Sequence, residues 1–255
     1  MTGAAALLSL GHEIVWAHFI VFLRASPVMS LFPGFGENSV PVRVKLGLAM
    51  ALTLIVTPAI RPYIGAPPGF TALIPLILIE AGIGLFIGIG LRLFLLALQT
   101  AGSIAAQATS LSQILGSAGT TPMPAMGHVL VIAALALAML LGLHVRMAEM
   151  FIRTYGVFPI GALPDAAAVA DWGIAQVGAA FALAFRLAAP FLIVSVLYNL
   201  TLGIINRAMP QLMVVFVGAP AISAAGLLGL MLLSPVMLSV WIRALETFVA
   251  NPFGG

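Results

Sequence analysis

Long apolar runs with very few charges set the terms for this chain. The clearest, residues 126–143, holds no Asp, Glu, Lys or Arg. Five others share its character: 14–32, interrupted by Arg24 and Pro27; the short 46–60; 72–99, holding Glu80 and Arg92; 174–205, holding Arg186 and Pro190; and 212–249. A bilayer's hydrocarbon core is about 30 Å thick, so a spanning helix takes about 20 mostly apolar residues. Each run is expected to be such a helix. The last exceeds one crossing, and Pro220 and Pro235 are expected to break or kink it, because proline removes a backbone donor and clashes with the preceding turn.

Composition excludes the main alternative. The chain is 62% hydrophobic and 7% charged, whereas a soluble domain carries about 25% charged residues. So few charges cannot cover a globule of this size in water. The expected fold class is an all-α integral membrane protein of about six long, kinked hydrophobic helices or hairpins, forming one unit over residues 1–255. The absence of Cys removes disulfides and thiolate metal sites. The net charge of +3 comes from ten Lys and Arg scattered along the chain, which does not point to nucleic acid. The first residues, MTGAAALLSLGHE, lack the basic start of a secretory signal, so the first run is expected to be retained. Arg43, Lys45 and Arg207 fall on one side of six crossings, and Arg61, Arg146, Arg153 and Arg243 on the other. That split is too even to set an orientation.

The connections are short and rich in turn residues. Residues 33–45 contain Pro33, Gly34, Gly36 and Pro41. Residues 160–171, with Pro164, Asp165 and Asp171, read as an aqueous loop. Residues 100–124 are uncharged and rich in Ser, Thr, Gly and Gln, a composition suited neither to a continuous helix nor to an ordinary solvated loop.

Charges inside apolar runs draw attention, since each must face protein or water rather than lipid. Glu80 and Arg92 are too far apart along one helix to pair. They read either as a proton relay or ion site, or as inter-subunit salt bridges or charges snorkelling at a helix end, Arg92 above all, and the second reading is favoured. Arg186 near Pro190 suggests a bend whose charge meets a partner. Gly84 and Gly88 form a GxxxG pair that lets helix backbones approach. The surrounding GIGLFIGIG lacks the nucleotide-binding spacing and follows no strand. The four His have no helical metal spacing. No nucleophile–base pattern is present, so neither catalysis nor a cofactor is expected.

Several motifs then fall in order. Arg24-Ala-Ser-Pro27 is followed by PVRVKLGLAMAL. Glu80 precedes Gly84 and Gly88. Gln107 begins the uncharged region. Late in the chain stands LGIINRAMPQLMVVFVGAP, with Arg207, Pro210, Gln211, Phe216 and Pro220. Together these resemble the FliR-type family of flagellar export-gate subunits, which is related to subunits of injection-type secretion machines. The sequence departs from that pattern at Met213, where the family commonly has Asn, and at Thr120-Thr121-Pro122, where it commonly has an acid before the proline.

The resemblance implies a non-enzymatic subunit of the bacterial inner membrane and flagellar basal body. It implies assembly with smaller P-type and Q-type membrane subunits into a helical gate, the channel entrance for unfolded flagellar substrates. Residues 1–150 would be P-like and 151–255 a Q-like hairpin. Further partners would be the B-type export switch, the large A-type gate subunit and membrane lipid. Gln107, Ser110, Gln113, Gly116, Gly119 and Pro122 would belong to a plug closing the channel. Arg24, Arg43, Glu80, Gly84, Gly88, Arg92, Arg186, Arg207, Pro210 and Gln211 would lie at subunit interfaces. The alternative function is a proton-coupled secondary transporter using Glu80 and Arg92.

Overall fold

The computed structural model describes residues 3–37, 39–109, 125–209 and 214–253. All regular structure among them is helical. The order is α1 (Gly3–Leu31), α2 (Val42–Ile60), a short 3-10 turn (Arg61–Tyr63), α3 (Phe70–Thr109), α4 (Ala125–Leu140), α5 (Leu143–Val157), α6 (Ala166–Ala208) and α7 (Val214–Ala250). Among the described residues, five helices are long and apolar enough to cross a membrane, or six if the bent pair α4–α5 counts as one crossing.

Three expectations change on folding. Of the break or kink expected at Pro220 and Pro235, the break does not occur: α7 is continuous from Val214 to Ala250, as α6 is through Pro190. In apolar surroundings, leaving the helix would strand many more backbone groups than the one bond each proline removes. The small-residue stretch after Thr100 continues α3 to Thr109. Its Ala101 and Ala105 are fully buried, and Gly102 lies so close to Gly127 of α4 that a Cβ would collide with that backbone. Small size there serves packing rather than a loop. The polar connection before α6 is also shorter than expected. Asp165 caps α6 by accepting from the Ala168 N–H at 3.0 Å, one of the helix's otherwise unpaired first-turn donors, and Asp171 lies inside the helix.

An additional helix appears beyond the fourth apolar run. Gly142, with φ of 75°, ends α4 in the left-handed region, where a side chain is disfavoured. After it, Leu143, Met147, Met150, Phe151, Thr154 and Tyr155 recur at helical spacing, and all are buried on one face of α5.

The chain packs as two compact units: residues 1–93, 139–176 and 247–255 form the first, and 94–138 and 177–246 the second. In the first, Ile20, Val21, Ala25 and Val28 of α1, Val56 and Ile60 of α2, Ile87 and Leu91 of α3, and Met150 and Phe151 of α5 are buried. Thr53 and Thr57 return their hydroxyls to the Ala49 and Thr53 carbonyls, each at 2.7 Å, which satisfies them within an apolar helix. Trp172 donates to the Pro252 carbonyl at 2.7 Å within a cluster of Phe86, Phe158 and Phe253, so the C-terminal tail is fastened to this unit. The second unit centres on Trp241, fully buried and donating to the Phe94 carbonyl at 2.9 Å. Leu98, Leu130, Ala184 and Leu245 are buried in the same unit.

Candidate functional site

The first unit is built around a buried ion pair. Arg24, on the inward face of α1, and Glu80, one-quarter of the way along α3, both have 0% side-chain exposure. The guanidinium meets the carboxylate in a fork: Nε to Oε2 at 2.8 Å and Nη2 to Oε1 at 3.1 Å. Such paired, charge-assisted bonds combine strength with fixed geometry. Nη2 also donates to the Phe158 carbonyl at 3.0 Å, and the Gly161 N–H donates to Glu80 Oε1 at 3.0 Å. The guanidinium carbon sits 3.9 Å from the Tyr155 ring centre, within range of a cation–π attraction. The pair therefore ties α1, α3, the end of α5 and the turn after it.

Why the helices come close enough follows from the glycines on α3. A Cβ on Gly84 would run into the Arg24 carbonyl oxygen, and one on Gly88 would lie 3.0 Å from Leu31 Cβ and 3.2 Å from the Pro27 carbonyl oxygen. The GxxxG pair brings α3 against α1 of the same chain. Arg24, Glu80, Gly84 and Gly88 are thus engaged inside the fold, with no surface left to offer. For Glu80, this arrangement makes a hub rather than a relay. Both carboxylate oxygens accept hydrogen bonds from fixed donors.

The other sequence-selected residues stand apart from this hub. Arg92 approaches Glu37 at 3.6 Å, and both side chains are 26% exposed. Lys45 donates to the Gly36 carbonyl at 2.9 Å, so the turn after α1 is held by two cations. Arg43 is exposed in the first turn of α2. Arg207 is exposed in the last turn of α6, where a cation complements the helix dipole. Arg186 is exposed near the middle of α6. Gln107 is exposed in the last turn of α3. Ser110, Gln113, Gly116, Gly119, Pro122, Pro210 and Gln211 lie outside the described residues.

Sequence reasoning missed Tyr155, the Phe158 carbonyl and the Gly161 amide. The signal for Tyr155 was present in the periodicity of α5. The two backbone groups carry no sequence signal.

The family model for bacterial export proteins, family 1, matches residues 15–248. The chain belongs to this family. Among relatives, the flagellar biosynthetic protein FliR of Caulobacter vibrioides is 33% identical, covering 89% of this chain and 92% of the relative. The FliR proteins of Escherichia coli and Bacillus subtilis are 29% and 26% identical, covering 86% and 93% of this chain. The positions of Arg24, Glu80, Arg186 and Arg207 all lie within the matched span.

Proposed function

We propose that this chain is a non-catalytic membrane component of the flagellar protein export apparatus. In this reading it joins P-type and Q-type subunits in the bacterial inner membrane, at the flagellar basal body, and forms with them the channel entrance for unfolded flagellar substrates. The observation that carries the reading is the near end-to-end likeness to FliR, over 89% of this chain and 92% of the Caulobacter relative.

Helix length supports the assembly role. α3, α6 and α7 have 40, 43 and 37 residues, so each is about 55–65 Å long at 1.5 Å per residue. Fitting a rod of about 60 Å within a hydrocarbon core of about 30 Å needs a tilt of about 60°, beyond the usual range of about 0–40°. Apolar side chains stay exposed along these helices: Phe181, Ile193 and Leu200 on α6, Leu227 and Met231 on α7. What the bilayer does not cover needs protein, and partner subunits would supply it.

In the same reading, residues 1–150 act as the P-like part and 151–255 as the Q-like part of one unit. Arg43, Arg92, Arg207, Pro210 and Gln211 contribute to subunit interfaces. The segment from Gln107 through Ser110, Gln113, Gly116 and Gly119 to Pro122 forms the plug. Its lack of charge suits a seal against ions, and its small residues suit displacement. The B-type switch and A-type gate subunits dock on the assembled entrance. The transporter alternative would need Glu80 open to a substrate path, whereas it is fully buried with both carboxylate oxygens engaged by Arg24 and the Gly161 amide.

The test is native mass spectrometry of this chain purified after co-expression with its P-type and Q-type subunits. A defined hetero-oligomer containing this chain is the expected result. A lone monomer or homodimer, with both partners well expressed, would overturn the reading.

A further inference from the structure

Arg186 is a cation with apolar neighbours along its helix and no counter-charge in its own chain among the described residues. It is exposed near the midpoint of α6. Among the described residues it has neither an ion-pair nor a hydrogen-bond partner. Gly178 and Ala182 on one side of it, and Ile193 and Leu197 on the other, share its helix face by their spacing, and all four are exposed. The two small residues permit a second helix to approach closely. Once such a helix covers this face, an unpaired guanidinium would be desolvated, which is strongly unfavourable without an opposite charge.

The occupant can be narrowed from the chain's own acids, seven in all. Glu13, Glu37 and Glu80 face Arg61, Arg92 and Arg24. Asp165 caps α6, Asp171 lies near the start of that helix, Glu149 is on α5, and Glu246, near the end of α7, already has a partner. A second copy inserted in the same direction would run its α6 parallel to the first and bring Arg186 against Arg186. Contact between two copies through this same face of α6 is therefore repulsive.

We propose that the Arg186 face of α6 seats an apolar helix of a different subunit, one that carries an Asp or Glu level with Arg186. The inference rests on the export-assembly reading and adds the chemistry of the partner. It predicts a charge-complementary contact, which gives register as well as attachment.

The chain has no Cys, so Arg186→Cys creates a unique thiol. A membrane-impermeant maleimide should label it readily in the isolated detergent-solubilised chain and at least about tenfold more slowly in the complex with P-type and Q-type subunits, as expected for a buried interface site. Equal rates in both would mean that position 186 faces water or lipid headgroups, and would overturn the inference. In parallel, Arg186→Lys should assemble, and Arg186→Glu should lower complex yield at least about tenfold, as like charges facing each other are repulsive. Replacing one acid in the apolar helices of a partner by Arg should restore the Arg186→Glu complex. Full assembly of Arg186→Glu without a partner change, or rescue by no acid-to-Arg change, would equally overturn it. Failure of the wild-type chain to form any complex sinks the assembly reading itself. An intact wild-type complex, with the Arg186→Cys thiol still freely reactive in its assembled form, sinks only this inference.

Discussion

Arg24 and Glu80, 56 positions apart, form a two-bonded ion pair with no exposed side-chain surface. The pair works through its neighbours as much as through its own charges. The Phe158 carbonyl and the Gly161 amide find partners on it, so the turn between α5 and α6 is ordered by residues from the first and third helices.

Removing one member should therefore be worse than removing both. Glu80→Ala leaves a buried guanidinium uncompensated, and the expected loss is about 3–5 kcal/mol. The double change Arg24→Met with Glu80→Leu should recover much of it. Unfolding of the purified protein in detergent, followed by far-UV circular dichroism against denaturant, checks both. A double variant no more stable than Glu80→Ala would count against the hub.

Gly84→Val should push α3 away from α1. The added atoms meet the Arg24 backbone carbonyl, which cannot swing aside as a side chain can, so a loss of about 1–3 kcal/mol or more is expected. Gly82→Val is the control, since a Cβ there has nothing within 4 Å. The difference between their melting temperatures is the readout.

At Gly142 the same comparison isolates backbone conformation. Its Cβ position is open, but φ is 75°. Gly142→Ala should cost about 1–2 kcal/mol through the left-handed conformation alone, and Gly142→Asn less. Equal stability of Ala and wild type would show that the turn can relax.

Trp172→Phe keeps the aromatic bulk but loses the donor to the Pro252 carbonyl, now at 2.7 Å. The expected cost is about 0.5–1.5 kcal/mol, concentrated in the tail. Hydrogen exchange resolved to residues 247–253 should rise, with little change in α1 or α2.

Arg207→Glu places an acid in the last turn of α6, against the helix dipole. Complex yield with P-type and Q-type subunits should fall while the isolated chain remains folded. Deleting residues 110–119 should instead leave assembly intact and make membranes leaky to ions. A tight membrane would remove the plug assignment.

The apolar helices were legible because burial in lipid or protein demands one composition over a long stretch: among the described residues five of the six runs fall almost wholly within one helix each, while 126–143 runs past the end of α4 to the start of α5. Helix α5 was not, because its buried positions alternate with Arg146, Glu149 and Arg153. A hydropathy reading sees those charges before it sees the spacing of Met147, Met150 and Phe151. The separate oddities of Arg24 and Glu80 were visible as charges in apolar runs, yet their union was not. Nothing local encodes which helix an arginine will meet, and the geometry that decides it runs through the size of Gly84. Asp165 illustrates the opposite error. A carboxylate beside a proline reads as solvent-facing loop, while its role is to begin a helix.

The distance in sequence between Arg24 and Glu80 also has a meaning in time. Translation at about 5–20 residues per second delivers Glu80 some seconds after Arg24, and the Gly161 amide later still. During that interval α1 carries a cation that is costly to release into lipid, by about 2.5–3.5 kcal/mol at a helix centre. Until the third helix is made, Arg24 has no Glu80 to meet, so the buried pair within the first unit is also the late-formed answer to the charge on the first helix.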